Sequence, residues 1–587
     1  MLRRSLSPVV LVALSGSPLS AAEPAKAPAF NADVRPILKA YCTECHGESE
    51  RPKAGLDLRL QRLALKGGDS GPAVVAGKPG ASPLIEKVQS GEMPPGKKKL
   101  SAAELDTLKR WIEAGAKVEA PEPEKLAAGF AITDDDRRWW AFQPVVRPAV
   151  PAVRDTNSVA NPVDAFLLAK LGEKGLAFGP PADRATLIRR VYFALIGLPP
   201  SPEQVESFVK DTAPDAYPKV IEQLLASPRY GERWGRHWLD VAGYADSEGG
   251  SPQDPERTNA WKYRDYVIRA FNADKPFDRF VKEQLAGDEL VKPPYADLKG
   301  DDLDALIATG FLRMAADGTG APGADQKLAR DAVLTDTVKI TASAFLGLTV
   351  GCAQCHNHRY DPVPQTDFFR LRAAFEPGYD VTAWKLPAAR QVSLYTAANK
   401  KAAAEVEAEA AKIDAERLKK QDEFIAATFE KELAKLPHDK RAEARAARDT
   451  PAAKRSAAQT KLMQEHPSLN VSAGSLYLYD SKAAAELKKM TDASAEVRKK
   501  KPVEEFVRAL TEVPGKVPET FLHHRGDPDQ PKGAVPFGGL AVLDGALPLK
   551  APAALPASGT SGRRLALANW LTDPKHPLTA RVTVNRV

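Results

Sequence analysis

Cysteine is nearly absent from this 587-residue chain: there are 4. All of them sit in two pairs three positions apart, which leaves none for a structural disulfide and excludes a disulfide-stapled fold. Methionine is as scarce, with 5, and aromatic residues make up only 7%. Long apolar runs are missing too. No stretch approaches 18 uninterrupted apolar residues, so the mature chain is expected to have no transmembrane span. Neither sign of charge prevails: 83 Lys and Arg against 76 Asp and Glu leave a formal net charge of +7. No stripe of interleaved aromatic and basic residues is present, so nucleic acid is not implied, and only a mild preference for anionic partners follows. Gly-rich phosphate loops, nucleophile elbows and zinc-protease motifs are likewise missing. The rest is ordinary globular composition, 43% apolar and 27% charged, in a chain long enough for several domains.

The cysteines that are present form one pattern twice. Cys42-Thr43-Glu44-Cys45-His46 and Cys352-Ala353-Gln354-Cys355-His356 both read C-x-x-C-H. Two thiols at this spacing can add to the two vinyl groups of one porphyrin, and the adjoining imidazole then ligates its iron. A disulfide across three positions would be strained, a thiol–disulfide redox pair needs no histidine, and zinc knuckles come close together. The expectation is therefore two covalent c-type haems. Cys42, Cys45, Cys352 and Cys355 would attach them, with His46 and His356 as proximal iron ligands.

The N-terminus points to the same compartment. A basic start at Arg3-Arg4, a short apolar run from Val9 to Leu14 and small residues at Ser20-Ala21-Ala22 have the layout of a secretory signal over residues 1–22. A periplasmic or otherwise exported protein is expected, and c-type haem is attached outside the cytoplasm.

Residues 28–118 read as one compact unit. Val34, Ile37, Leu38 and Tyr41 have helical spacing and lead into Cys42, and a Gly- and Pro-rich loop follows from Gly47 to Pro83. Ser101-Ala102-Ala103-Glu104 is a capping box opening a helix through Leu108 and Trp111. Between them lies Gly91-Glu92-Met93-Pro94-Pro95-Gly96. Met93 is the only methionine between the initiator and Met314, and its prolines hold the turn rigid, which makes it the expected distal ligand of the first haem. Together, Pro36-Ile37-Leu38, Tyr41 to Gly47, Met93-Pro94-Pro95 and Leu108-Lys109-Arg110-Trp111-Ile112 resemble the N-terminal cytochrome domain of the multi-domain cytochrome c proteins of planctomycetes.

The resemblance continues. A Pro- and Ala-rich linker over 119–157 carries Trp139-Trp140-Ala141-Phe142, expected to dock as an aromatic strip. A helical module follows over 158–395. Its runs Ser227 to Asp240 and Thr349 to His358 are similar to the second module of the same proteins, a family without an assigned reaction. Residues 396–505 are Ala-, Glu- and Lys-rich and read as a charged helical arm, a coiled-coil hairpin turning at Pro437 or Pro451. Short strands and loops are expected over 506–560. Residues 561–587, with Arg563 to Leu571 and Pro577 to Arg586, resemble the start of the third module, which normally has most of its length ahead; a fragment or truncated product is the expectation. The fold class is mainly α: a small cytochrome c-like helical domain joined to a larger α-helical module, with the helical arm and minor β.

The distal ligand of the second haem has no signature. His358 lies too close to the proximal His356 to reach the opposite face. His237, Met314, His523 and His524 are the remote candidates, and His237 stands out among Trp234, Arg236 and Trp238, an environment suited to packing a porphyrin and pairing its propionates. A water-bound or open site is the alternative. The acidic group Asp246, Glu248, Asp254 and Glu256 does not match the EF-hand template and reads more simply as a solvated loop. Electron transfer is the expected function. Electrons would come from a soluble or membrane-associated donor, pass through the His/Met haem to the second haem, and serve redox partner proteins. The rival is a haem-dependent oxidoreductase whose open second haem acts on peroxide or on an organic or polysaccharide-derived substrate.

Overall fold

The computed structural model describes residues 27–48, 51–119, 122, 130, 132–553, 555–556 and 558–586; the export signal expected over 1–22 lies outside them. Helices carry nearly all the regular structure, and the strands among the described residues form two antiparallel two-stranded ribbons. The fold is mainly α.

In the N-terminal unit a wide turn over Phe30–Val34 runs into α1 (Arg35–Tyr41), which delivers Cys42. Then come α2 (Pro83–Gln89) and α3 (Ala102–Glu113). The Gly- and Pro-rich loop between α1 and α2 also winds one short helix, Gln61–Lys66. The capping box forms at the start of α3: Glu104 N donates to Ser101 Oγ at 3.2 Å, and Ser101 N to the Glu104 carboxylate at 2.7 Å. Phe30 and Trp111 meet with ring centroids 5.3 Å apart over buried Val34, Leu38, Leu108 and Ile112, which fastens α3 across the turn that leads to the cysteines.

Of the strip Trp139-Trp140-Ala141-Phe142, one ring docks in the larger core. Phe142 is buried in the core of the larger module, whereas Trp139 and Trp140 stay exposed. Arg581 covers one face of Trp140, with its guanidinium 5.4 Å from the ring centroid.

The larger module opens with a helix over Pro162–Gly172, and α4 (Arg184–Leu195), α5 (Pro202–Lys210) and α6 (Ala216–Leu225) then close a small core around Tyr192, Phe208 and Leu224. Its main core is built from α7 (Pro228–Ala242), α8 (Ala260–Asn272), α9 (Phe277–Leu290), α10 (Gly300–Ala308), α11 (Gln326–Leu346) and α12 (Gln365–Arg372). Trp238 on α7 sits among Phe280, Phe311 and Phe345 at 4.9, 5.9 and 5.6 Å between centroids. Where α9 meets α10 only glycine fits, since a Cβ on Gly287 would lie 1.7 Å from Ala305 O.

The charged arm is α13 (Ala397–Ala434) lying antiparallel to α14 (Ser481–Arg498). Arg498 pairs with Glu407 and Asp414 near one end, and Lys420 with Glu486 farther along. The chain does not turn at one proline. Pro437 follows the end of α13, and the short helices Arg441–Asp449 and Ala457–Glu465 then cap the arm over Phe429, Leu433, Leu462 and Met463 before α14 returns. At the arm's base β1 (Gln391–Ser393) pairs with β2 (Phe506–Arg508). Beyond it β3 (Phe521–His523) pairs with β4 (Pro531–Ala534), and α15 (Arg563–Leu571) and α16 (Thr579–Arg586) pack back on the module.

His576 joins α15 to α16. Its ring stands edge-on to Trp570 at 4.4 Å, and Nδ1 accepts from Leu578 N and Thr579 N at 3.3 Å. Burial pushes the imidazole down to about 4. A base whose folded value is depressed contributes stability that is complete above its unfolded value, near pH 6.5, and is lost as pH falls toward 4. The loss expected from this group is roughly 3 kcal/mol. His576→Asn keeps an acceptor and removes the titration. Urea unfolding at pH 7 and pH 4.5 should show a smaller drop in the variant, and an equal drop would refute the assignment.

Candidate haem sites

The first C-x-x-C-H segment is wound by a backbone bond from His46 N to Cys42 O at 2.9 Å, and the following loop is tied to it by Leu58 N donating to His46 O at 2.8 Å. Cys42, Cys45, His46 and Met93 all line one cavity of about 250 Å³, whose walls include Leu56, Leu58, Leu84 and Val88. His46 Nδ1 donates to Lys53 O at 3.0 Å, because a carbonyl only accepts. The proton is thereby fixed on Nδ1 and the Nε2 lone pair is left for a metal. Burial pushes the Cys42 thiol up to about 12. Lys99 Nζ donates to Gly91 O at 2.7 Å and Pro94 O at 2.6 Å, clamping the turn that carries Met93. Two thiols, an imidazole with Nε2 available and a thioether thus open on one apolar cavity, and this donor set fits a covalent haem.

The second segment follows α11 on a tight turn, Val350–Gln354, and Cys352, Cys355 and His356 are exposed. His356 Nδ1 donates to Asn357 O at 2.7 Å, the same orienting bond as in the first site. Gln365 Nε2 donates to both Gln354 O and His523 O at 2.9 Å, drawing the segment after β3 onto the motif. There Gly526, at φ +76°, faces the Cys355 sulfur, and a Cβ on it would lie 2.7 Å from Sγ. Gly526→Val is therefore expected to obstruct attachment at this sulfur. Mass spectrometry of the matured chain should find one haem fewer than wild type; an unchanged mass increment would contradict this.

The two motifs adjoin. Arg359 pairs with Glu44, inside the first motif, at 3.3 Å, and Lys39 Nζ donates to Tyr360 O and Asp361 O at 3.4 Å. A polar cleft of about 170 Å³ between them is lined by Lys39, Glu44, Glu48, His356, Arg359 and Gln365, among others.

The matches to known families fall on these same segments. Residues 42–97 match the family described as planctomycete cytochrome C, residues 162–379 a protein family of unknown function (DUF1549), and residues 563–587 another of unknown function (DUF1553). The chain has the planctomycete multi-domain cytochrome c architecture. No curated protein and no solved structure matches it. The cytochrome match suggests a haem-binding cytochrome and implies covalent haem c. It runs from Cys42 past Met93, and so spans every residue of the first donor set.

In this cytochrome the remote candidates for a distal ligand at the second motif are scattered. His237 is exposed on α7, its ring edge-on to Trp234 at 5.4 Å, and it does not line the cleft beside His356. Met314 is buried with its sulfur 3.7 Å from Arg257 Nη1. His523 is buried beside Asp331, 3.6 Å from Oδ1, and His524 is next to it, two residues before Gly526. His358 is fully engaged: Nδ1 accepts from Tyr360 N and Asp361 N, and Nε2 meets Thr349 Oγ1 at 3.0 Å. The acidic stretch is only partly solvated. Asp246 accepts from Tyr244 Oη and Asp254 from Gly249 N, but Glu248 is buried between two arginines. Sequence reasoning missed Lys39, Glu44, Arg359, Lys99 and Gly526. Only Gly526 and Lys99, near turn-forming glycines and prolines, carried any local signal.

Proposed function

We propose that this chain is an exported c-type cytochrome with two covalent haems that relays electrons between a donor, soluble or membrane-associated, and acceptor redox proteins. Cys42 and Cys45 attach the first haem, with His46 and Met93 as its iron ligands; Cys352, Cys355 and His356 hold the second. Haem supplies the one-electron chemistry when bound, and the chain supplies attachment, ligand orientation and docking. The observation that carries this reading is the Glu44–Arg359 pair, which joins the interior of one motif to the residue three positions past the proximal histidine of the other. Rapid mixing of the oxidised holoprotein with limiting reductant tests it. Both haems are expected to reduce on a common time course, and loss of the first haem in Cys42→Ala/Cys45→Ala should slow reduction of the second several-fold. Reduction of the second haem at the wild-type rate in that variant would overturn the relay.

A second reading has its own support. Apart from His356, the histidine in the cleft beside the second motif is His358, whose ring nitrogens are both engaged, and no methionine lines that cleft among the described residues. That favours an open sixth position and an oxidoreductase acting on peroxide or an organic or polysaccharide-derived substrate. Carbon monoxide separates the two. Binding to the reduced second haem of the wild type supports the enzyme. Binding only after His237→Ala assigns His237 as distal ligand and supports transfer.

A further inference from the structure

Away from both motifs, the larger module buries a charge cluster where irregular segments converge. Glu248 and Arg257 lie between α7 and α8, Arg313 and Asp317 lie between α10 and α11, and Arg390 and Arg508 flank the β1–β2 ribbon; each is at most 7% exposed. Glu248 is shared by Arg257, at 3.3 Å, and Arg508, while Asp317 pairs with Arg390. Among the described residues Arg313 forms no ion pair with a carboxylate. Its Nε donates to Ala509 O at 3.2 Å and its guanidinium lies 5.2 Å from the Tyr379 ring centroid.

Four guanidiniums therefore face two carboxylates, which leaves two positive charges uncompensated inside the protein. Among the described residues, Arg508 Nε and Arg390 Nη2 also lack any hydrogen-bond partner. Burial, helped by neighbouring Arg390, pushes Arg313 down to about 9, so it remains charged at neutral pH. Buried charge without a counterion is strongly unfavourable, and arginine does not escape by losing its proton. The planar donor forks left over match the oxygens of a phosphate or sulfate. Trp384 borders the same place, its ring 5.2 Å from the Arg390 guanidinium and its Nε1 donating to Thr319 Oγ1 at 3.2 Å.

We propose that Arg313, Arg390 and Arg508 form a binding site for a dianionic oxyanion, either a free sulfate or phosphate ion or a phosphate monoester of an organic compound. The site stands on its own residues and does not depend on how the second iron is ligated. Isothermal titration calorimetry on the holoprotein tests it, with sodium sulfate, sodium phosphate and phenyl phosphate titrated into chloride buffer at constant ionic strength. Saturable one-to-one binding of at least one probe is expected. Arg390→Gln should weaken it by about tenfold or more, through loss of a charge-assisted contact. Arg229→Gln, at an exposed arginine on α7, should not. Tighter binding of phenyl phosphate supports an esterified ligand, and equal or tighter binding of the inorganic ions supports the free ion. Should Arg390→Gln fail to fold, the wild-type melting temperature decides, since it should rise with a binding probe and not with matched chloride. No saturable binding and no melting shift with any probe, or binding unaltered in folded Arg390→Gln, would overturn the proposal.

Discussion

Arg564→Met is expected to lower the unfolding free energy by about 3–5 kcal/mol, the cost of breaking a buried ion pair and leaving its partners uncompensated. Arg564 is wholly buried at the start of α15. Its guanidinium donates to both Asp288 carboxylate oxygens at 2.7 and 2.9 Å, to Glu512 Oε1 at 3.0 Å and to Leu285 O at 3.2 Å. The carboxylates are themselves held, since Glu512 accepts from Ser561 N at 2.6 Å and Asp288 from Glu512 N at 3.2 Å. Glu289 completes the cluster 3.3 Å from Arg564, and burial, against the opposing pull of Arg564, pushes it up to about 8. Glu289 Oε1 makes no hydrogen bond to the guanidinium, and Arg564 answers chiefly Asp288 and Glu512. Methionine fills the volume but strands both charges. Urea unfolding followed by far-UV circular dichroism measures the cost. Arg564→Met/Asp288→Asn/Glu512→Gln should recover part of it, because the stranded charges are gone. A loss below about 1 kcal/mol in the single variant would mean that the cluster relaxes into water.

Met93→Ala should lower the potential of the first haem by on the order of a few tenths of a volt, within the ~0.8 V over which axial ligands move haem potentials. A thioether favours ferrous iron, and its loss removes that preference. The weak near-infrared sulfur-to-iron band of the oxidised protein should vanish in the same variant. Lys99→Ala, which frees the turn without touching the sulfur, should weaken the band rather than abolish it. If the band persisted in Met93→Ala, the thioether would come from another residue, and Met314 would be the one to test next.

The parts of this fold that local chemistry dictates were legible. The capping box at Ser101, the apolar spacing of α1 and the charged arm all follow from interactions within a few residues. The arm's turn was misjudged because Pro437 and Pro451 each stop a helix without reversing the chain, and the reversal needs the small core around Phe429 and Met463. Trp139 and Trp140 read as docking residues, yet Phe142 alone is buried, a choice made by the shape of a core assembled from distant helices. The contact between the two motifs pairs residues 315 positions apart, and no local pattern encodes it. The same holds for Glu248 and Arg508, which look like solvated charges in sequence and become buried only when the segments converge.

Both C-x-x-C-H segments are proposed to hold haem side by side, and the haem content of the matured chain tests this most directly. A pyridine haemochrome assay against protein concentration should return two haems per chain, falling to one in Cys352→Ala/Cys355→Ala with the spectrum of the first haem intact. One haem per wild-type chain, unchanged in that variant, would contradict it.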